Sequence, residues 1–149
     1  MSESRKPDRS GIKFMYLHKG KWIDINHVLH PAFADFIEQA CKILASIGVV
    51  EIVTLGITNN RCMRGMSECP ENTSMHAPGL WPDYKEWGDG HCGARAIDIV
   101  SVEFKNGLLL TVHTPTERAK MVEFCEALGA TVQHRTVGSV KPDHLHVEV

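Results

Sequence analysis

Long apolar runs are missing from this chain of 149 residues. No stretch approaches the roughly 18 to 20 consecutive apolar residues that a membrane-spanning helix requires. The opening residues, MSESRKPDRSG, also lack the apolar core of a secretion signal, so cytoplasmic synthesis is expected, with any action on a cell wall following release or assembly into a virion. An excess of one charge is missing too. Sixteen Lys and Arg against eighteen Asp and Glu give a formal net charge of -2, with no long basic run to follow a phosphate backbone, and a nucleic-acid partner is not expected. The five cysteines (Cys41, Cys62, Cys69, Cys92 and Cys125) are odd in number and include no CxxC unit. That excludes a paired disulfide framework or a structural zinc knuckle and fits free thiols in a reducing compartment. Neither an internal repeat nor a linker divides the chain, which reads as a flexible arm over residues 1–11 and a single domain over 12–149. A domain of this length buries about two thirds of the surface its unfolded chain exposes, so it needs no metal merely to fold. Any metal site is therefore read first for function.

Periodicity supplies the elements that are present. After a short apolar stretch at 12–17 and a Lys19-Gly20 turn, Phe33, Phe36, Ile37, Ala40, Ile43, Leu44 and Ile47 recur at three- and four-residue steps. This is a helix, with Pro31 suited to its first turn and Gly48 to its end. The β-branched run 49–55 predicts a buried strand, and 94–104 predicts another. Asn106-Gly107 predicts a hairpin turn into a strand at 108–112. Thr114, Pro115 and Glu117 spell a capping box that opens a second helix running to Gly129, and short strands at 130–135 and 145–149 close the chain. Cys41 and Cys125 fall on apolar helical faces and are expected in the core. The predicted class is α+β, an antiparallel sheet with helices packed on one face.

Two segments carry chemistry. The first is His91-Cys92-Gly93-Ala94-Arg95-Ala96-Ile97-Asp98, and the second is Asp143-His144-Leu145-His146. Asp98 is flanked by Ala96, Ile97, Ile99 and Val100, where a carboxylate is costly unless its charge is compensated, as a cation would do. His144 and His146 are two apart, so on a strand both imidazoles leave the same face. A catalytic zinc takes three protein ligands from imidazole, carboxylate or thiolate and keeps a position for water. Cys92 beside His91 is expected to face away, because neighbouring strand residues point oppositely.

These segments resemble the zinc-dependent D-Ala-D-Ala carboxypeptidases and L-alanyl-D-glutamate endopeptidases of bacterial cell walls and phage endolysins, whose fold is shared by the hedgehog signalling domain. The family pattern is SxHxxGxAxD, followed far along the chain by a carboxylate three residues before a final His. HCGARAID keeps the His, the Ala at the fifth step and the Asp at the seventh, and DHLH keeps the end. Asp89 stands where the family has Ser, Ala94 where it has Gly, and Asp143 where it has the longer Glu. The resemblance implies His91, Asp98 and His146 as zinc ligands, Asp143 in the place of the catalytic carboxylate and His144 in that of the auxiliary histidine. Either of these last two could serve as base. It also implies a peptidoglycan stem peptide as substrate, a monomer as the working form, and an oxyanion role for Arg61, which reads equally as a surface arginine. The alternative function is a zinc-containing binding module of the same fold that has lost turnover.

Ser74, His76, Gly79 and Asp83 repeat part of the pattern, but Leu80-Trp81-Pro82-Asp83 cannot continue as a strand, which favours His91. The interval 58–90 has no sustained period, and a loop that long in a compact domain is usually functional or disordered. Trp81, Tyr84 and Trp87 within it are expected to wall the substrate groove.

Overall fold

A computed structural model describes residues 5–57, 95–133 and 144–149. In chain order its elements are β1 (Lys13–His18), β2 (Lys21–Asp24), α1 (Pro31–Ser46), β3 (Val49–Gly56), β4 (Ala96–Phe104), β5 (Leu109–Thr111), α2 (Pro115–Ala127), β6 (Thr131–Gln133) and β7 (Leu145–Glu148). The class is α+β, as the hydrophobic pattern predicts. The sheet, however, is mixed rather than antiparallel: in the order β2-β1-β3-β4-β7-β6, β1 and β3 run parallel while the other pairs are antiparallel, and β5 also pairs with β4. The reason is the connection. β1 returns through a tight hairpin as β2, and α1 then carries the chain over the sheet, so β3 re-enters beside β1 in the same direction.

The hairpin forms because Lys19 and Gly20 both take positive φ, 48° and 79°, the backbone twist that a two-residue turn between antiparallel strands requires. α1 starts where expected, with Pro31 in its first turn. Its cap is unexpected: His30 Nδ1 accepts from the Ala32 N–H at 3.1 Å. Phe33, Ala34, Phe36, Ile37, Ala40 and Cys41 bury the inner stripe. α2 departs from the capping box. The Thr114 side chain makes no cap bond, and Glu117 Oε1 instead accepts from the Thr111 N–H at 2.8 Å, satisfying a donor at the end of β5.

Residues 5–9, expected to belong to a loose arm, are tied to the body. Arg5 bridges to Leu29 through the backbone and pairs with Asp35 at 2.7 Å and Glu38 at 2.6 Å. Arg9 pairs with Asp24 and lies 5.3 Å from the centre of the Phe14 ring.

Both helices cover one face of the sheet, over a core that includes Phe14, Phe33, Ile97, Val112, Leu145 and Val147. Buried among these is Arg118 of α2, whose guanidinium donates to the Val112 carbonyl at 2.5 Å. A hydrogen bond from a charged donor contributes about 1.5–3 kcal/mol. Arg118→Met is accordingly expected to lower unfolding stability by about that amount, read as a shifted midpoint in denaturant titration. Burial also pushes the thiols of Cys41 and Cys125 up to about 12; the charge of Arg9 opposes this at Cys41, while that of Glu126 adds to it at Cys125. Neither should react with a maleimide at neutral pH until the fold is opened by denaturant, which mass spectrometry of the labelled protein checks. Among the described residues no helix is long and apolar enough to cross a membrane.

β4 is the strand that positions the site. Val53 pairs with Ser101 and Thr54 with Ile99, so Val100 is an extra residue, a bulge in β4. On the opposite edge the bulge divides the strand. Residues 96–99 pair with β7 and residues 101–103 with β5, so two partners share one edge.

Candidate metal and acid-base centre

Ile97 and Ile99 face the helices, so Asp98 between them leaves the other face of the sheet. On β7 the same alternation sends Leu145 and Val147 into the core, and His146 and Glu148 to the face that Asp98 occupies. Asp98 and His146 are direct cross-strand partners. Their side chains meet: His146 Nδ1 stands 3.2 Å from Asp98 Oδ1, and both residues are nearly inaccessible, at 5% and 1% exposure. His144, just before β7, brings Nε2 to 3.8 Å from the same carboxylate oxygen. Two of the three expected zinc ligands, Asp98 and His146, and the expected auxiliary histidine His144 thus lie together.

The backbone beneath Asp98 is held from β3. The Thr54 hydroxyl donates to the Asp98 carbonyl at 2.6 Å and accepts from the Gly56 N–H at 2.9 Å, which pins the irregular β3 to β4 pairing at the site. Glu148 is the residue that sequence reasoning missed. Its Oε1 lies 2.8 Å from His146 Nε2, so the imidazole is gripped by a carboxylate at each nitrogen. The signal was present in HLHVE, where positions 144, 146 and 148 share the period-two face. Burial alone would depress the His146 pKa, but hydrogen bonds and charge from Asp98 and Glu148 outweigh it and raise the pKa above the ordinary histidine value.

Asp98 Oδ1 and His146 Nδ1 suit a zinc ion as far as two donors can. Donors about 2.0–2.1 Å from a tetrahedral metal stand about 3.3 Å apart, close to the separation seen here. With Nδ1 turned to Asp98 and Nε2 to Glu148, the imidazole is oriented as metal-bound histidines usually are, the second nitrogen giving its proton to a carboxylate. Among the described residues no group of three His, Cys, Asp or Glu side chains is arranged to hold a metal ion. The third expected ligand, His91, lies outside the described residues, as do Asp143, Arg61, Trp81, Tyr84, Trp87, Cys92 and the competing pair His76 and Asp83. No family model, curated protein or solved structure matches the chain.

Proposed function

We propose that the chain is a zinc-dependent peptidase of the hedgehog and D-Ala-D-Ala carboxypeptidase fold, acting on peptidoglycan stem peptides. The observation that carries this reading is the buried contact of Asp98 with His146 across β4 and β7, with His144 beside it on the face away from the helices. The pairing joins the HxxxxxxD and DxxH segments of the sequence at one point. Asp98, His146 and His91 would hold the metal. When bound, zinc supplies a Lewis acid that polarises the scissile carbonyl and lowers the pKa of water toward neutrality.

The chain's own residues do the rest. Asp98 would balance charge with the cation, where the apolar strand would otherwise penalise a lone carboxylate. His146 stays fixed because Glu148 holds its far nitrogen. Asp143 takes a proton from the attacking water and returns it to the leaving amine, and His144, hydrogen-bonding the developing oxyanion, shares that charge with Arg61. The residue between Asp143 and β7 is His144 itself, so the proposed base and auxiliary group are adjacent in the chain.

Mass spectrometry of muropeptides before and after digestion tests the reading. New peptide termini that vanish when the protein is treated with a chelator and return with zinc are the expected result. Tight zinc with intact muropeptides would make the chain a binding module, and absence of zinc from protein prepared without added metal would remove both readings.

Glu148 gives a further prediction. If it orients His146, Glu148→Gln keeps a hydrogen-bonding group but loses the charge, whereas Glu148→Ala removes both. Zinc affinity is expected to fall about 10- to 100-fold for the alanine variant and less for glutamine. Competition against a chromogenic chelator measures this, and equal affinity of all three proteins would deny Glu148 the orienting role.

A further inference from the structure

On the helix side of the sheet, remote in orientation from the candidate centre, an open cavity of about 260 Å³ separates α1 from α2. Its wall is apolar throughout: Ala40 and Cys41 of α1, Met121 and Cys125 of α2, and Ile97 and Ile99 on the floor. Among the described residues Lys120 is the one charged side chain in the lining, and it is exposed. Ile47, which also lines the cavity, is 59% exposed and marks the end that opens to solvent. Ile43, one helical turn earlier, is also exposed and extends that apolar lip.

Protein interiors close to crystal-like density, so an apolar gap of this size loses contacts that a filled one keeps. Water does not repair the loss, because an occupying water needs two to four polar partners and this wall offers none. An apolar cavity of about 150 Å³ takes up benzene, and by proportion this one accommodates roughly ten carbons. The one cation at its edge selects the end group.

We propose that this cavity binds the alkyl chain of a medium-chain fatty acid, with the carboxylate at the mouth on the Lys120 ammonium. Charge complementarity sets the polarity of the ligand. Chain length is set by the volume between the helices. The site is separate from the proposed zinc chemistry, since Ile97 and Ile99 face it while Asp98 faces away.

The test is titration of the full chain with sodium decanoate below its micellar concentration, by calorimetry and with a carboxyl-labelled ligand by NMR. Each titration is run with and without a chelator so that a carboxylate seated on a metal is recognised. Expected are saturable one-to-one binding that the chelator leaves unchanged, at least about tenfold weaker binding of decanol, and none of butyrate. Lys120→Glu, at an exposed helical position, should fold normally and reverse the preference, losing decanoate and gaining decyltrimethylammonium. Ala40→Phe fills the gap and should exclude decanoate while raising the melting temperature of the ligand-free protein. If it does not fold, Ile47→Trp at the exposed lip replaces it and should slow or block entry.

No saturable binding of decanoate by the parent protein overturns the proposal. Binding that survives a folded Ala40→Phe or Ile47→Trp unchanged places the ligand elsewhere and overturns it equally. An unaltered preference in Lys120→Glu would refute the assigned polarity.

Discussion

Replacing His146 by alanine is expected to abolish zinc retention at neutral pH, the largest single change in metal occupancy that any one substitution in the described part of the site should cause. The imidazole is held by two carboxylates, at 3.2 Å from Asp98 and 2.8 Å from Glu148, so its removal takes away a proposed ligand and leaves both carboxylates without their shared partner. Asp98 is then a buried carboxylate without its nearest cationic or proton-sharing neighbour. Removing one member of a buried pair costs about 3–5 kcal/mol, so the variant is expected to be less stable as well as metal-free. Stability and metal loss must therefore be separated. Combining His146→Ala with Asp98→Asn removes the stranded charge along with the ligand, and this double variant should regain much of the lost stability yet bind no zinc. Metal analysis after gel filtration, with circular dichroism on the same samples, reads both. Full zinc occupancy in a folded His146→Ala protein would show that the ligands were wrongly chosen, and His76 with Asp83 would be the first substitutes to examine.

What the sequence could reveal, it revealed through local pattern. α1 is written in the three- and four-residue spacing from Phe33 to Ile47, and the β4 to β5 turn in Asn106-Gly107, where Gly107 takes φ of 90° and the Asn106 side chain accepts from the Leu108 N–H. The shared face of His144 and His146 follows from alternation alone. β2 was invisible because its four residues, KWID, are all exposed and show no burial alternation. It is a strand because the Lys19-Gly20 turn folds it onto β1, with Leu17 opposite Trp22. The parallel β1 to β3 pair was equally hidden, since pairing across α1 leaves no mark in either strand's composition. The Val100 bulge depends on two different strands competing for one edge of β4, which only the assembled sheet decides. Glu148 lies outside the DHLH motif, and only strand alternation, which puts it two residues past His146 on the same face, connects it to the site.

The same local logic bears on how the centre is built. A strand pair sets the separation of Asp98 and His146 by main-chain hydrogen bonds, so these two side chains do not depend on a loop for their position. β4 is paired on both edges along this stretch, with β3 and β7, and the Thr54 hydroxyl ties the Asp98 carbonyl across the irregular register. Asp98 and His146 stand 48 positions apart in the sequence, so neither segment alone can form their contact.

Asp143→Asn is expected to retain zinc and lose turnover by about 10²- to 10⁴-fold, the usual contribution of general acid-base catalysis. Asp143 lies three residues before His146 in the sequence, and a carboxylate beside a dication stays ionised and able to accept a proton. His144 approaches differently. Its Nε2 stands 3.8 Å from Asp98 Oδ1, and its side chain is 16% exposed, so it sits at the edge of the buried pair with access to a bound substrate. From there a neutral imidazole can donate to an oxyanion, a contribution that alanine would remove at smaller cost than loss of the base. His144→Ala should accordingly be the milder lesion, with kcat reduced less than in Asp143→Asn and zinc affinity unchanged. Rates of muropeptide release by the two zinc-loaded variants give the ranking directly. The reverse order would transfer the base role to His144. Parent-level activity in Asp143→Asn would remove that carboxylate from the mechanism, leaving Asp98, His144 and His146 as the candidates among the described residues for handling the proton.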